Sequence, residues 1–169
     1  MSDITLRDAT EADVAVIFAI TQAAFEEYRG MLAPPSGVHR ETHAVVRQKL
    51  ACGTYILAEY AGRPVAAVYY EVRPDRVYFG RLAVLPEARG RGIARALVEA
   101  VERRAARAGR AKVELGVRVA LAALRASYER MGYRLAAEHC HPGFDVVTFV
   151  QLEKELALPF AQRPSEEIS

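Results

Sequence analysis

A glycine-rich turn between a buried-type strand and an amphipathic helix is the feature that most constrains how this chain can fold. The turn reads Leu85-Pro86-Glu87-Ala88-Arg89-Gly90-Arg91-Gly92 and follows an apolar segment over residues 77–85. Apolar residues then recur every four positions from Ile93 to Val101, which predicts a helix that ends near Gly109. A second apolar segment over 113–117 follows this helix. A strand, a helix and a strand in that order predict a right-handed parallel crossover, and therefore the mixed α/β class.

The remaining segments predict the strands and helices that surround this crossover. Segments 55–60, 65–72 and 77–85 are separated by turns that contain glycine or proline, which predicts an antiparallel meander. An opening strand is predicted over 4–7, and a final strand pair, joined by Pro142-Gly143, over 133–138 and 146–152. Helices are predicted after an N-cap at Thr10, over 36–50 and over 120–131. The expected fold is a mostly antiparallel central sheet with one parallel crossover, flanked by four helices.

Length, composition and charge limit the class of protein. The chain has 169 residues, 51% hydrophobic and 26% charged, which predicts one globular domain over residues 1–156. Residues 157–169, rich in Pro, Ser and Glu, are predicted to form a flexible tail. A net charge of +2 argues against a nucleic-acid partner, because proteins that bind phosphate backbones usually carry a large basic excess. The sequence has no apolar run of membrane-spanning length and no signal-peptide core, so we expect a cytoplasmic protein without a membrane partner.

Cysteine and histidine spacings argue against a metal centre. Cys52 and Cys140 are far apart and form no Cys-x-x-Cys motif, so neither a disulfide framework nor a cysteine-based zinc site is expected. His39 and His43 have helical i,i+4 spacing but lack the His-Glu-x-x-His pattern of zinc enzymes. We therefore expect these two histidines on one solvent-exposed helix face.

The glycine-rich turn has the features of a phosphate-binding loop. Backbone N–H groups at a helix start bind phosphate oxygens, and Gly90 and Gly92 would let a phosphate approach the backbone. Arg89 and Arg91 add charged donors. The P-loop is excluded because isoleucine, not lysine, follows Gly92, and a nucleotide-dependent oxidoreductase is disfavoured because the third glycine of its motif would be Arg95. A tight turn without a ligand is the alternative.

Two motifs, separated by one helix and one strand, together resemble those of a known family. Arg89, Gly92 and Ala94 form Arg-x-x-Gly-x-Ala, which resembles the Gln/Arg-x-x-Gly-x-Gly/Ala pyrophosphate loop of the GNAT superfamily of acetyl-CoA-dependent N-acetyltransferases. The segment Ser127-Tyr128-Glu129-Arg130-Met131-Gly132-Tyr133 resembles the family's helix that ends in Tyr-Glu-Lys/Arg-x-Gly-Phe/Tyr. The order of elements over residues 4–153 is also similar to that of the family, so the resemblance implies a GNAT-like fold.

This resemblance implies an N-acetyltransferase that moves an acetyl group from acetyl-CoA to a primary amine of a small molecule or a peptide. The transfer would be a direct attack in a ternary complex, and it requires no metal. The residues that the resemblance assigns to acetyl-CoA are Leu82, Ala83, Val84, Arg89, Gly90, Arg91, Gly92, Ile93, Ala94, Arg95 and Ser127. A non-catalytic acyl-CoA-binding or regulatory domain of the same fold is the alternative function, and a homodimer is left open.

Catalytic residues are implied in the same way. Tyr128 stands where the family often has the acid that protonates the leaving CoA sulfur, and a phenol can donate a proton to a thiolate. Some relatives carry a glutamate base on the strand before the loop, but segment 76–85 contains no acid. The candidate bases are Glu71, Glu114 and His141, each of which has a structural role as its alternative. Leu121 stands where many relatives have an asparagine that contacts the CoA arm, so that contact is in question.

The acceptor groove is implied only in outline. In the family, the first two helices and the last hairpin usually form its walls. Here these elements carry Phe25, Tyr28, Ser36, His39, Glu41 and the turn His141-Pro142-Gly143-Phe144. Aromatic side chains beside Glu41 suit a cationic amine, and ordinary packing within the loop is the alternative.

Overall fold

A computed structural model describes residues 3–158 of the chain, and within that range it contains four α-helices and seven strands. The helices are α1 (Val14–Phe25), α2 (His43–Cys52), α3 (Ile93–Arg107) and α4 (Ala122–Arg130). The strands are β1 (Ile4–Asp8), β2 (Thr54–Tyr60), β3 (Arg63–Val72), β4 (Val77–Val84), β5 (Lys112–Arg118), β6 (Arg134–His139) and β7 (Phe149–Glu155). Short 3-10 helices lie at Glu11–Asp13, Glu26–Tyr28, Gly37–Arg40 and Pro86–Ala88.

The strands of this range form one sheet in the order β1-β2-β3-β4-β5-β7-β6. Strands β4 and β5 pair in parallel, with Val77 opposite Val113 and Tyr78 opposite Glu114. The pairs β1–β2, β2–β3, β5–β7 and β6–β7 are antiparallel. Helix α3 connects the two parallel strands. Such a pair needs a long crossover, because the chain must return from the C-terminal end of β4 to the level at which β4 began before β5 can start. The predicted mixed α/β class, a mostly antiparallel sheet with one parallel crossover, is confirmed.

Local signals start the first helix where the sequence predicts it. Thr10 has an extended backbone and forms a capping box with Asp13, whose Oδ2 accepts the Thr10 N–H at 2.8 Å. Arg7 of β1 donates to both oxygens of the same carboxylate at 2.9 Å. These bonds lower the pKa of Asp13 to about 2, because they favour its charged form. Thr10 is confirmed as an N-cap: it caps the 3-10 helix Glu11–Asp13, which leads into α1, whose own N-cap residue is Asp13.

Contacts between residues divide the chain into two compact units, and the first comprises the residues up to 71 together with 79–98. Its core packs α1 and α2 against side chains of β2, β3 and β4. The buried members are Val14, Ile17, Ile20, Ala24, Val46, Tyr55, Leu57, Ala67, Tyr69 and Ala83. On β2 and β3 these residues alternate along the strand, as expected for one face of a pleated sheet. We refer to this set as the α1/α2 core.

The second unit comprises residues 72–78 and those from 99 onward. Strand β5 pairs with β7 along its whole length, from Lys112 opposite Glu155 to Arg118 opposite Phe149. The apolar residues that this unit buries are Val77, Ala100, Val101, Ala105, Val113, Leu115, Val117, Tyr128, Tyr133, Val150, Leu152 and Leu158. Two compact units can belong to one folded domain or to two, so one domain over residues 1–156 stays a prediction.

The helix predicted over 36–50 is two shorter elements in the structure. A 3-10 helix covers Gly37–Arg40, the backbone is extended at Glu41 and Thr42, and Thr42 then caps α2 by accepting the Val45 N–H at 3.3 Å. His39 and His43 therefore do not share a helix face, and the expectation that both are exposed is wrong for His39. Both ring nitrogens of His39 are buried without a hydrogen-bond partner among residues 3–158, whereas His43 is exposed.

Two expectations concern the end of the chain. The last strand, predicted over 146–152, begins three residues later, at Phe149. Val146 and Val147 are exposed and belong to the connection that follows Gly143. The flexible tail expected over 157–169 lies outside the described residues from 159 onward, and Leu158 is buried. Within the described part of the chain, no helix combines the length and apolar character that a membrane crossing requires.

Candidate active site

The glycine-rich turn has a backbone that only glycine adopts readily. After the 3-10 helix Pro86–Ala88, both Gly90 and Gly92 have φ +78°, in the left-handed region. A Cβ built on either glycine would meet no heavy atom within 4 Å. The space beside the loop backbone is therefore open at both positions, and neither glycine is required by close packing.

Helix α3 begins directly after this turn, with the backbone N–H groups of its first residues beside the turn. The N–H of Ala96 donates to the carbonyl of Gly92 at 3.0 Å, so this bond opens the helix ladder. N–H groups that precede the first such bond have no acceptor within their own helix. Ile93 and Ala94 are the first residues of α3 and stand at the positive end of a helix of 15 residues. This geometry suits an anion such as a pyrophosphate.

The side chain of Arg89 lies against the end of α1. Its Nη2 is 2.7 Å from Glu27 Oε1 and donates to the Ala24 carbonyl at 3.2 Å, and its Nε donates to the Val84 carbonyl at 3.3 Å. The carbonyls of the last helical turn lack partners within the helix, so Arg89 satisfies one of them. The guanidinium thereby connects the glycine-rich turn to the segment that carries Phe25 and Tyr28.

Arg91 contacts strand β2 instead. Its guanidinium lies 4.6 Å from the centroid of the Tyr60 ring, and its Nη1 donates to the Tyr60 hydroxyl at 3.1 Å. A cation over an aromatic face is held by the ring quadrupole. The two arginines of the turn are thus oriented by different strands and helices of the first unit.

Arg81 on β4 has an unusual backbone and a buried partner. Its φ is +53°, which residues other than glycine rarely adopt. Its Nε donates to Glu41 Oε1 at 2.6 Å, and only 5% of the Glu41 side chain is exposed. The guanidinium also lies beside Gly37, since a Cβ at Gly37 would be in ordinary contact with Arg81 Nη2 at 3.4 Å. Glu41, which could have faced a cationic acceptor, is therefore already paired with an arginine.

Polar side chains surround Glu71 at the end of β3. The Tyr69 hydroxyl donates to Glu71 Oε1 at 2.6 Å, and burial raises the pKa of Tyr69 well above its usual range. The ammonium of Lys49 lies 4.9 Å from the centroid of the Tyr69 ring. The hydroxyl of Tyr55, whose ring is 5.1 Å from that of Tyr69, is buried without a hydrogen-bond partner among residues 3–158.

In the second unit, Glu114 is held by several donors. Arg73 and Arg76 each donate to its carboxylate at 2.9 Å, and Gln151 donates at 2.7 Å. Only 8% of the residue is exposed. A carboxylate with these neighbours has few lone pairs left for an incoming proton, and its arrangement is that of a structural ion pair.

His141 and Tyr128 also lie in the second unit. His141 Nδ1 is 2.5 Å from Thr148 Oγ1, and burial together with the charge of Arg118 lowers the pKa of its imidazole. Tyr128 on α4 is buried, and its ring meets that of Tyr133 edge to face with centroids 6.1 Å apart. The Tyr133 hydroxyl in turn donates to Glu102 at 3.0 Å.

The predicted site residues thus fall into two sets. The first unit holds the strand and loop residues Leu82, Ala83, Val84, Arg89, Gly90, Arg91, Gly92, Ile93, Ala94 and Arg95, together with Glu71. The second unit holds Ser127, Tyr128, Glu114 and His141. Sequence reasoning missed Arg81 and Lys49, and no local signal reveals them, since their partners are distant in sequence. Residues 3–158 contain no group of three or more His, Cys, Asp or Glu side chains that could hold a metal ion.

Comparison with known proteins gives a consistent family and fold. The profile of the acetyltransferase (GNAT) family matches residues 17–133, more than half of the chain. The ribosomal-protein-S18-alanine N-acetyltransferase from Escherichia coli has a similar structure, with 20% identity and a TM-score of 0.75 over 98% of this chain and 99% of that one. No curated protein sequence matches the chain.

Two further solved structures contain the cofactor. The PaiA N-acetyltransferase from Thermoplasma acidophilum, in complex with coenzyme A, has 14% identity and a TM-score of 0.76 over 92% of this chain and 99% of that one. A GNAT family acetyltransferase from Elizabethkingia anophelis, with acetyl-CoA bound, has 16% identity and a TM-score of 0.69 over 92% and 100%. At these identities the likeness shows the fold.

Proposed function

Because this chain belongs to the acetyltransferase (GNAT) family, we propose that it is an N-acetyltransferase that transfers the acetyl group of acetyl-CoA to a primary amine. The observation that carries the proposal is the left-handed backbone of Gly90 and Gly92 at the start of α3, within the Arg-x-x-Gly-x-Ala motif. It leaves open space beside the loop, next to the N–H groups of Ile93 and Ala94 at the start of α3, and a helix N-terminus is a favourable place for an anion. Related structures with coenzyme A or acetyl-CoA bound support the same donor.

In this proposal the backbone binds the donor. The N–H groups of the loop over residues 90–95 bind the pyrophosphate by donating to its oxygens at the positive end of α3. Residues 82–84 of β4 offer backbone groups to the pantetheine arm and to the thioester carbonyl, and Ser127 provides a further contact. Polarisation of this carbonyl by a fixed N–H would stabilise the oxyanion that forms when the amine attacks.

The chemical step needs one base and one acid. The base removes one proton from the acceptor ammonium, and the neutral amine attacks the carbonyl carbon. The C–S bond then breaks, the nitrogen gives up its second proton to leave the neutral amide, and the CoA thiolate takes up a proton from the acid. We assign the acid to Tyr128 from its position in the Tyr-Glu-Arg-x-Gly-Tyr motif. The ring contact with Tyr133, which Glu102 in turn holds, would orient Tyr128 for this role.

Glu71 is the base that the contacts favour. It belongs to the same unit as the glycine-rich turn, and the Tyr69 hydroxyl at 2.6 Å orients it. Glu114 already receives bonds from two arginines and a glutamine, which occupy its oxygens. His141 is engaged by Thr148 through both its ring and its backbone N–H. Glu114 and His141 remain the alternatives that the experiment below compares.

Binding and turnover are tested separately. We expect acetyl-CoA to raise the melting temperature more than NAD does, because the native loop binds it and the unfolded chain does not. Free thiol should then appear when acetyl-CoA is mixed with an accepted member of a panel of amines, peptides and aminoglycosides. Binding of acetyl-CoA without thiol release from any acceptor would favour the non-catalytic acyl-CoA-binding domain. A larger shift with NAD would contradict the donor assignment.

The residue roles have their own tests with the accepted amine. Tyr128→Phe and Glu71→Gln should each lower kcat by about 100-fold or more, with the acetyl-CoA KM nearly unchanged. In the pH–rate profile, Glu71→Gln should remove the acidic limb, while Glu114→Gln and His141→Asn should retain it. Unchanged turnover in Tyr128→Phe at several pH values would eliminate the tyrosine as the acid.

The proposed partners follow from charge and chemistry. We assign the acceptor to small amines or peptide amines, because a net charge of +2 gives no general attraction to nucleic acid. The reaction as written uses no metal, a cytoplasmic location is proposed with it, and a homodimer is left open. Activity that survives EDTA would agree with this proposal, and loss of activity that zinc or magnesium restores would contradict it.

A further inference from the structure

Lys49 differs from the other two lysines of the chain in what its ammonium group contacts. Lys154 Nζ is 3.0 Å from Glu102 Oε1, and Lys112 Nζ is 3.5 Å from Glu153 Oε2. All three lysines lie within the described residues, and in that range Lys49 has no carboxylate within 4.0 Å, the limit for a salt bridge. Its ammonium instead lies 4.9 Å from the centroid of the Tyr69 ring.

Two opposing influences act on the charge of Lys49: the Tyr69 ring favours the ammonium, and burial, the largest effect, favours the neutral amine. The side chain is half-buried, and burial lowers the pKa of Lys49 because it disfavours the charged form. The positive charge of Arg81 acts in the same direction, while Glu41, Glu71 and Cys52 act against it. An amine that is neutral for a larger fraction of the time is a better nucleophile than the two ion-paired lysines.

Lys49 also lies beside the strand that we assign to the thioester. It follows Val46 by three positions on α2, so the two side chains share one face of the helix. Val46 packs in the α1/α2 core together with Tyr69 and Ala83. The Arg81 guanidinium of β4 also lies close enough to act on the charge of Lys49, and Arg81 directly precedes the 82–84 segment proposed to hold the acetyl end of acetyl-CoA, which favours a position of Lys49 near the donor.

We propose that Lys49 is a self-acetylation site of this chain. The Lys49 Nζ lone pair attacks the carbonyl carbon of bound acetyl-CoA, an N–C amide bond forms, the C–S bond breaks, and CoA leaves as the thiol with the proton that the amine releases. The product is a neutral acetyl-lysine beside Tyr69 and Arg81. The proposal rests on the proposed function, because it uses the same bound donor.

The test is acetylation of the purified full chain by acetyl-CoA without an acceptor. Intact mass should increase by one acetyl group, and peptide mapping should place it on Lys49. We expect Lys49 to react at least about tenfold faster than Lys112 and Lys154, since intramolecular attack on a held donor has a high effective molarity. A first-order rate that does not change with protein concentration would identify transfer within one chain.

Variants and a second reagent keep the outcomes distinct. Lys49→Arg should abolish the fast modification, and Lys112→Arg is the matched control that should retain it. If acetyl-CoA raises the melting temperature but the three lysines react equally, or if the acetyl group maps to the N-terminal amine, the self-acetylation proposal is overturned and the proposed function stands. If acetyl-CoA neither binds nor releases thiol, both proposals fall. Trace labelling with acetic anhydride should also modify Lys49 first, and equal labelling would contradict the reactivity argument.

Discussion

Replacing Arg81 by alanine removes the guanidinium that pairs with Glu41, a carboxylate with only 5% of its side chain exposed. Removal of one partner from a buried ion pair costs about 3–5 kcal/mol, because the other charge stays buried. Arg81 itself is 30% exposed, so we expect the lower end, a loss of about 3 kcal/mol in the free energy of unfolding. For a chain of this length the melting temperature should fall by about 6–12 °C.

Arg81→Gly separates the ion pair from the backbone strain. Both variants lose the guanidinium, but glycine adopts a φ of +53° without the penalty of about 1–2 kcal/mol that other residues have there. Glycine also gives the unfolded chain more freedom, which costs about 0.5–1 kcal/mol relative to alanine. Arg81→Gly should therefore be at least as stable as Arg81→Ala, whereas an ordinary strand position would give the opposite order.

Urea unfolding followed by far-UV circular dichroism measures these differences. Glu41→Gln and the double variant with Arg81→Ala complete a cycle, in which the double variant should lose less than the sum of the single losses. The exposed pair of Arg29 with Glu26 is the matched control, and Arg29→Ala should change stability by less than about 0.5 kcal/mol. If Arg81→Ala unfolds within about 1 kcal/mol of the wild type, or is clearly more stable than Arg81→Gly, the reasoning is refuted.

Three further predictions use the same assay or a binding assay. The pKa of Asp13 is lowered from 3.8 to about 2 in the folded chain, so the stability that its bonds to Arg7 provide should be present above about pH 4 and lost as the pH falls through 2. The difference in unfolding free energy between wild type and Asp13→Asn should therefore shrink over that range, and a constant difference would contradict the prediction. Gly92→Ala should lower the melting temperature, because its φ is +78°, and should also weaken acetyl-CoA binding. Gly62→Ala, at φ +81° and outside the loop, is the control and should lower the melting temperature without weakening acetyl-CoA binding. Glu114→Gln should cost about 1–2 kcal/mol, because it removes charged hydrogen bonds, while Arg73 remains 43% exposed and Arg76 keeps Asp75 and Glu153 as partners. Urea unfolding measures this loss, and a change below about 0.5 kcal/mol would contradict it.

Features that depend on residues close in sequence could be predicted. The cap at Thr10, the amphipathic α3 and the turn at Gly92 each involve groups within a few positions of one another, so local hydrogen bonding and periodicity suffice to find them. The order of strands and helices then limited the topology to a sheet with one parallel crossover. The family resemblance rests on two such local motifs.

The split of segment 36–50 shows where local reasoning failed. Apolar spacing across the segment is compatible with one helix, but Thr42 caps a new one and Glu41 points to Arg81, 40 positions away. The ion pair over that distance exists only once the chain has folded, and it is the tertiary contact that stabilises the left-handed backbone of Arg81.

For the candidate bases, too, some properties follow from the sequence and others only from the folded structure. The sequence by itself determined the residue types available, the phosphate-binding turn and the family to which the chain is similar. Only the tertiary structure decided that Glu114 is held by two arginines, that Glu71 receives a tyrosine hydroxyl and that Lys49 lacks a carboxylate partner among the described residues. Those properties depend on burial and on the distances between charges, and a linear sequence contains neither quantity until folding brings distant residues together.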